Sequence, residues 1–219
     1  MNLFNEINII NELCFDVGAN IGNKTEKFLS YGASVICIEP QTYCNSILES
    51  KFSTNEKVKI VKTALGSSED SKSMFISEHH TLSTMSSDFM SETKKQRFKN
   101  VVWEKEEPVI VSTLDNIINL YGVPKYCKID VEGYEVEILK GLSTKIKYIS
   151  VEFVPELKEK TFECIDLIDK LGEYKYNYID GENEHFVFND WVDSETIISY
   201  LRANNDYENS FGDLYAKLI

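Results

Sequence analysis

Short apolar runs alternate with amphipathic segments from the start of the chain. Leu13 to Val17 is apolar apart from Asp16 and reads as a first strand. Gly18 to Gly22 makes the turn, and Lys24 to Ser30 reads as a helix that stops before Gly32. Ser34 to Glu39 is a second strand, Pro40 opens a helix at a position where its missing N–H costs nothing, and Val58 to Leu65 is a third strand. Strands and helices that alternate in this way predict a parallel sheet with crossover helices.

The stretch from Gly66 to Pro124 is less regular. Lys72 to Ile76 is a candidate strand, Ser77 to Ser87 a Ser/Thr-rich loop, and Phe89 to Phe98 a candidate helix. Val109 to Thr113 is β-branched and reads as a strand, followed by a short helix that Thr113 or Asp115 can cap. We read residues 66–124 as an irregular insertion within a single domain over residues 1–219. The pattern resumes with a strand from Tyr126 to Asp130, a helix from Tyr134 to Lys140 closed by Gly141, a strand from Lys147 to Phe153 and a helix from Thr161 to Leu171. Tyr174 to Ile179 and His185 to Phe188 flank Asp180-Gly181, a turn pair that favours an antiparallel hairpin. The tail from Asp193 holds one helical pattern before a break at Tyr207 to Gly212.

Charge narrows the partners. With 23 basic against 36 acidic residues among 219, the formal net charge is -13, so the average surface repels polyanions. Nucleic acid and acidic membranes are poor partners for it. No apolar run approaches the ~20 residues of a spanning helix, and Met1 to Asn11 lacks the basic start and apolar centre of a secretion signal, so a cytoplasmic protein is expected. Cys14, Cys37, Cys44, Cys127 and Cys164 are odd in number and form no C-x-x-C pair, which favours reduced thiols.

The candidate chemistry begins at Asp16-Val-Gly-Ala-Asn-Ile-Gly22, a strand end followed by a glycine-bracketed turn and a helix start. Glycines let the backbone approach a ligand, and helix-start amides favour a carboxylate or phosphate. Asn20 stands where a dinucleotide fingerprint has its middle glycine, and Asp16 repels a pyrophosphate but attracts an ammonium. S-adenosylmethionine, with an α-amino group, a carboxylate and a sulfonium, suits the loop better than a nicotinamide dinucleotide. Glu39 ends the next strand, where an acid can take the ribose hydroxyls of an adenosine.

A second acidic group follows from topology. If the first strand neighbours the Tyr126 strand, and that one the Lys147 strand, their carboxyl ends gather Asp130, Glu132 and Glu152 in one crevice. Methyl transfer needs an oriented nucleophile and a base. Asp130 is the candidate base or acceptor-orienting group, with a structural cap for the following turn as the alternative. Glu132, before Gly133 at a helix start, can instead satisfy backbone amides. Glu152 lies in an apolar strand, where a lone acid is costly unless partnered or functional. His79 and His80, in the Ser77 to Ser87 loop, can bring an imidazole to the acceptor when that loop closes. Asp130, Glu152 and an imidazole also suit magnesium or manganese, although no spacing demands a metal. The four prolines form neither the Asn/Asp-Pro-Pro-aromatic stretch of adenine methylation nor the Pro-Cys of cytosine methylation. Tyr121 and Lys125 have the spacing of a short-chain oxidoreductase pair, but Gly122 and Pro124 break the helix that would align them.

The sequence resembles the FkbM-type methyltransferase family from Phe15 to about Leu218. The matching stretches are Phe15-Asp-Val-Gly-Ala-Asn-Ile-Gly22, Ile38-Glu-Pro40, Ala64-Leu-Gly66, Ser112-Thr-Leu-Asp115, Lys128-Ile-Asp-Val-Glu-Gly-Tyr-Glu135 and Ser150-Val-Glu-Phe153. The resemblance implies a class I methyltransferase fold: a Rossmann-like α/β, mostly parallel seven-stranded sheet with an antiparallel last strand and helices on both faces. It also implies O-methylation of a sugar, nucleotide-sugar, glycan or related small molecule. On these motifs the cofactor contacts are Asp16, Gly18, Ala19, Asn20, Gly22, Glu39, Pro40, Ala64, Leu65 and Asp130. A non-sugar acceptor with a phosphoryl oxygen or amine, and a non-catalytic cofactor-binding protein, are the rival readings.

Overall fold

In a computed structural model, residues 1–181, 183–203 and 211–219 are described. α1 (Leu3–Ile7), which the apolar pattern did not signal, leads into β1 (Leu13–Val17), α2 (Asn23–Ser30), β2 (Ser34–Ile38), α3 (Thr42–Phe52) and β3 (Val58–Val61). Next come β4 (Ala64–Leu65), β5 (Asp70–Ser77), α4 (Ser87–Lys95), β6 (Trp103–Ser112) and α5 (Leu114–Tyr121). The chain continues through β7 (Tyr126–Ile129), α6 (Glu135–Lys140), β8 (Tyr148–Phe153), α7 (Lys158–Leu171), β9 (Tyr174–Asp180), α8 (Ser194–Ala203) and β10 (Gly212–Leu218). Local chemistry sets several of these ends. Asn2, Ser86 and Thr113 cap α1, α4 and α5 by accepting the amides of Asn5, Phe89 and Asn116.

The seven-stranded sheet has the order β3-β2-β1-β7-β8-β10-β9. Its first five strands pair in parallel, and β10 lies antiparallel between β8 and β9. Successive side chains of a strand face opposite sides, so one chain of strands builds two cores. Phe15, Val17, Ile36 and Ile38 join residues of α5, α6, α7 and α8 on one side, and Cys14, Val35 and Cys37 join α1, α2 and α3 on the other. Burial on both faces explains why these strands read as continuous apolar runs. Asp16 and Lys128 are the charged exceptions among the buried residues of β1 and β7.

The stretch from Gly66 to Pro124 is more ordered than its pattern suggests. The third apolar run divides: β3 stays in the main sheet, while β4 crosses into a three-stranded sheet of order β4-β6-β5. Thr63 marks the crossing, its hydroxyl donating to the carbonyl of Ile110 at 2.8 Å.

The expected hairpin partner of β9 does not form a strand. His185 makes one bridge with Asn2, and Val187 gives one backbone hydrogen bond to Tyr178. The buried side chain of Asn177 provides the reason. Its amide donates to the carbonyls of Phe188 and Asp190 and its oxygen accepts the amide of Phe188, replacing ladder bonds with side-chain ones. The antiparallel partner is instead β10, whose alternation of Leu214, Ala216 and Leu218 against Asp213, Tyr215 and Lys217 fits a strand. Gly212, read as part of a break, begins that strand, and Tyr207 to Ser210 lie outside the described residues. All five cysteines are free and buried. Among the described residues no helix is long and apolar enough to cross a membrane.

Gly212 tests this insertion. A Cβ there would lie 2.2 Å from the carbonyl oxygen of Ile179 and 2.5 Å from the Tyr178 hydroxyl. Gly212→Ala should cost about 2–4 kcal/mol, read as a lowered denaturant midpoint at unchanged slope. An unchanged midpoint would remove β10 from its place between β8 and β9.

Candidate active site

The carboxyl ends of β1, β2 and β7 open onto one cleft, with walls from the β1–α2 turn, the β2–α3 connection, the start of the small sheet and the His80–Leu82 turn. Asp16, Gly18, Ala19, Asn20, Glu39, Pro40, Ala64, Leu65, His80, Asp130 and Glu132 all line it. Gly22, Glu152 and His79 do not.

The turn after β1 is built by steric necessity. Gly18 has φ +77, and a Cβ there would lie 1.8 Å from the carbonyl oxygen of Asp130. At Gly22, with φ +88, a Cβ would strike Phe52 and Leu48 of α3. Protein contacts therefore require glycine at both positions, and Gly18 also lines the cleft. Asn20 adopts φ +51, and its side chain oxygen accepts the amide of Ile21. An asparagine tolerates this left-handed conformation, so the missing middle glycine is no defect. The amides of Gly18 and Ala19 donate to Ile38, that of Asn20 to Glu39 and that of Gly22 to Ala19. The amides of Gly18, Ala19, Asn20 and Gly22 are thus engaged within the protein, and the first helical turn, at Asn23 and Lys24, lines the cleft beside them.

Asp16 is fully buried. Its Oδ2 accepts the Thr25 hydroxyl at 2.6 Å, while its Oδ1 has no hydrogen-bond partner. Burial pushes its carboxyl up from the usual range, against the pull of the Lys128 ammonium and the Thr25 hydroxyl. Glu39 is 2% exposed and accepts the amides of Asn20 and Gln41, each at 2.8 Å, which ties β2 to the turn after β1. Burial pushes Glu39 up to about 7, although those amides oppose it.

Asp130, Glu132 and Glu152 lie together, with one carboxylate oxygen of each within 4.8 Å of the others. Glu152 faces this cluster from β8 behind the cleft wall. Burial, and then the neighbouring carboxylates, push Glu132 and Glu152 well up. No imidazole joins them among the described residues. The cation beside Asp130 is the Lys128 ammonium, 2.5 Å from Oδ2. Burial alone lowers the Lys128 pKa, but Asp130, Asp16 and Asp213 outweigh it and hold the ammonium charged. Asp130 therefore pairs with Lys128 and does not cap the following turn.

That cap is Glu135, which the sequence reading did not single out. Its Oε1 accepts the amides of Val131 and Gly133 at 3.1 and 3.2 Å, and burial pushes it up to about 7. Glu132, a catalytic candidate for which amide capping was the alternative, sits at φ +56 with its carbonyl accepting the Thr84 hydroxyl at 2.7 Å, and its side chain joins the acidic cluster.

The two histidines separate. His79 is exposed, with Nε2 3.8 Å from Glu78, because the loop turns it outward. His80 lines the cleft at the Glu39 side, where its carbonyl accepts the side-chain amides of Asn20 and Gln41 at 3.2 and 3.1 Å. The Nδ1 of His80 is buried without a partner. Tyr121 ends α5, and Lys125 binds Asn8 and Glu12 elsewhere, so no oxidoreductase pair forms.

Known proteins match this architecture. The solved structure of a methyltransferase FkbM from Methylobacillus flagellatus superimposes with a TM-score of 0.55 at 15% identity, over 94% of this chain and 43% of that one. The chain thus spans less than half of that protein's length. A precorrin-6y C5,15-methyltransferase from Geobacter metallireducens aligns with a TM-score of 0.51 at 9% identity, covering 99% of this chain and 85% of the other. At such identities the likeness shows the fold, a class I methyltransferase one. No curated protein matches the sequence significantly. The profile of the methyltransferase FkbM domain matches residues 16–207, which hold both the Asp16 turn and the Asp130 cluster, and the chain belongs to that family.

Proposed function

We propose that the protein transfers a methyl group from S-adenosylmethionine to a hydroxyl of a small acceptor, a sugar or nucleotide-sugar, in the cytoplasm. Asp16, which lines the cleft and whose buried Oδ1 has no hydrogen-bond partner, carries the reading. A buried polar atom left in this way is costly, and the α-ammonium of the cofactor is a donor of matching charge. Glu39 would take the ribose hydroxyls, since each of its oxygens has a second lone pair beyond the amide it accepts. Ala64 and Leu65, with Met74 and Met85 of the apolar cluster around Ala64, offer apolar surface to the adenine. Gly18, Ala19, Asn20 and Pro40 complete that wall, and Gly22 serves it by letting the turn close on α3.

Bound there, S-adenosylmethionine supplies a methyl group already activated on a sulfonium. A sugar hydroxyl is a poor nucleophile until its proton leaves, and Asp130 would accept that proton. Glu132, which lines the cleft and is pushed up by burial, is suited to hold a proton and donate to acceptor oxygens, with Glu152 beside it in the cluster. His79 is too exposed, and His80 too closely tied to the Glu39 side, for either to share this step. The scheme requires no metal. A small acceptor agrees with the net charge of -13, which opposes polyanions, and five free cysteines agree with a reducing compartment.

Asp130→Asn should lose at least about 100-fold in turnover at saturating cofactor, measured with labelled cofactor on a panel of nucleotide-sugars and free glycans, with and without a chelator. Undiminished turnover would reject Asp130 as the base. Ribose hydroxyls donate to the ionised form of Glu39, whose pKa near 7 lies above the ordinary 4.5. Cofactor binding should therefore release a proton at pH 6.5 and weaken about tenfold from pH 8 to pH 6. Calorimetry in buffers of different ionisation enthalpy reads both effects, and Glu39→Gln should remove them. A pH-independent affinity in the unaltered protein would take Glu39 out of the ribose site.

A further inference from the structure

We propose that Lys128 is a positioning residue of the cofactor site, its buried ammonium holding Asp16 and Asp130 as anions that face the methionine end of S-adenosylmethionine. This rests on the methyltransferase reading and extends it to a residue that the mechanism above does not use. Lys128 pairs in register with Asp16 across β1 and β7, so the two side chains share one face of the sheet. It is 4% exposed, lines the cleft, and lies 2.5 Å from Asp130 through Nζ.

A lysine in a strand whose other members, Tyr126, Cys127 and Ile129, are all buried is a costly residue to keep. Packing does not explain it, because an apolar side chain would fill the same volume without desolvating an ion. Its charge explains it better. Asp16 and Asp130 line one cleft and repel each other, and removing the cation between them raises the cost of keeping the buried Asp16 ionised. Asp16, the more deeply buried, would be the one to neutralise. Its free Oδ1 would then no longer offer a full negative charge to an ammonium. With Lys128 in place, the three groups sum to one negative charge beside the cofactor's cationic end, and Asp213 of β10 steadies the ammonium from the far side.

The consequence is selective. A ligand with the amino-acid end depends on Lys128, and one without it does not. Binding of S-adenosylmethionine, S-adenosylhomocysteine and 5′-methylthioadenosine, which lacks that end, would be measured by calorimetry on the full chain. Lys128→Met should weaken the first two by about tenfold or more and leave the third within about twofold, and Lys128→Arg should restore most of the loss. Equal losses for all three ligands would mark Lys128 as merely structural and overturn the proposal, as would no loss for any. If Lys128→Met does not fold, Asp16→Asn reads the same wall. It should reproduce the selective loss, and an equal effect on 5′-methylthioadenosine would overturn the proposal. Failure of the unaltered protein to bind any of the three would overturn the methyltransferase reading itself.

Discussion

A buried ammonium is tolerated only where carboxylates compensate it, and the Lys128 side chain meets that condition at the carboxyl edge of the main sheet. Asp16 comes from β1, Asp130 from the residue after β7, and Asp213 from β10. None of these strands is adjacent to all the others in sequence, so the charge balance exists only when the sheet has its order. Conversely, that order is hard to alter without stranding a charge. The ion pair and the topology are mutually dependent.

Around this centre, the loops are fixed by close packing and by hydrogen bonds among themselves. Gly18 lies against the carbonyl of Asp130, so the turn after β1 and the segment after β7 touch directly. Glu39 then binds the amide of Asn20, and Glu135 those of Val131 and Gly133. The His80 carbonyl, receiving Asn20 and Gln41, ties the loop from the small sheet onto the same edge. A cleft assembled in this way is largely formed before any ligand enters, which reduces the ordering that binding requires. The unpartnered Oδ1 of Asp16 stands out because so many of its neighbours are satisfied.

Burial pushes two carboxyls up to about 7: Glu39 in the cleft and Glu135 at the turn after β7. Both are raised above their unfolded value of 4.5, so each favours the fold at low pH and opposes it as pH rises toward 7. They are kept although neutral or apolar side chains would be cheaper to bury. Each accepts two backbone amides, Glu39 with both oxygens and Glu135 with one, and a carboxyl does so without the extra N–H donors that an amide side chain would bury.

Much of this was legible in the chain. The apolar runs at Leu13, Ser34 and Tyr126 became parallel strands because burial on both faces imposes that pattern, and the acids at their ends converged because parallel strands end on one edge. The sequence by itself therefore determined the sheet class, the cleft's location and most of its acids. It did not reveal that β10, near the end of the chain, inserts between β8 and β9, because strand pairing is set by contacts distant in sequence and by the side chain of Asn177, which occupies the other edge. Nor could spacing separate His79 from His80, which differ by one residue and by the direction of a loop. Only the tertiary structure decided that Glu135 and not Glu132 caps the turn, and that Lys128 stands between two carboxylates. Burial and charge compensation are properties of neighbours, and neighbours are chosen by folding.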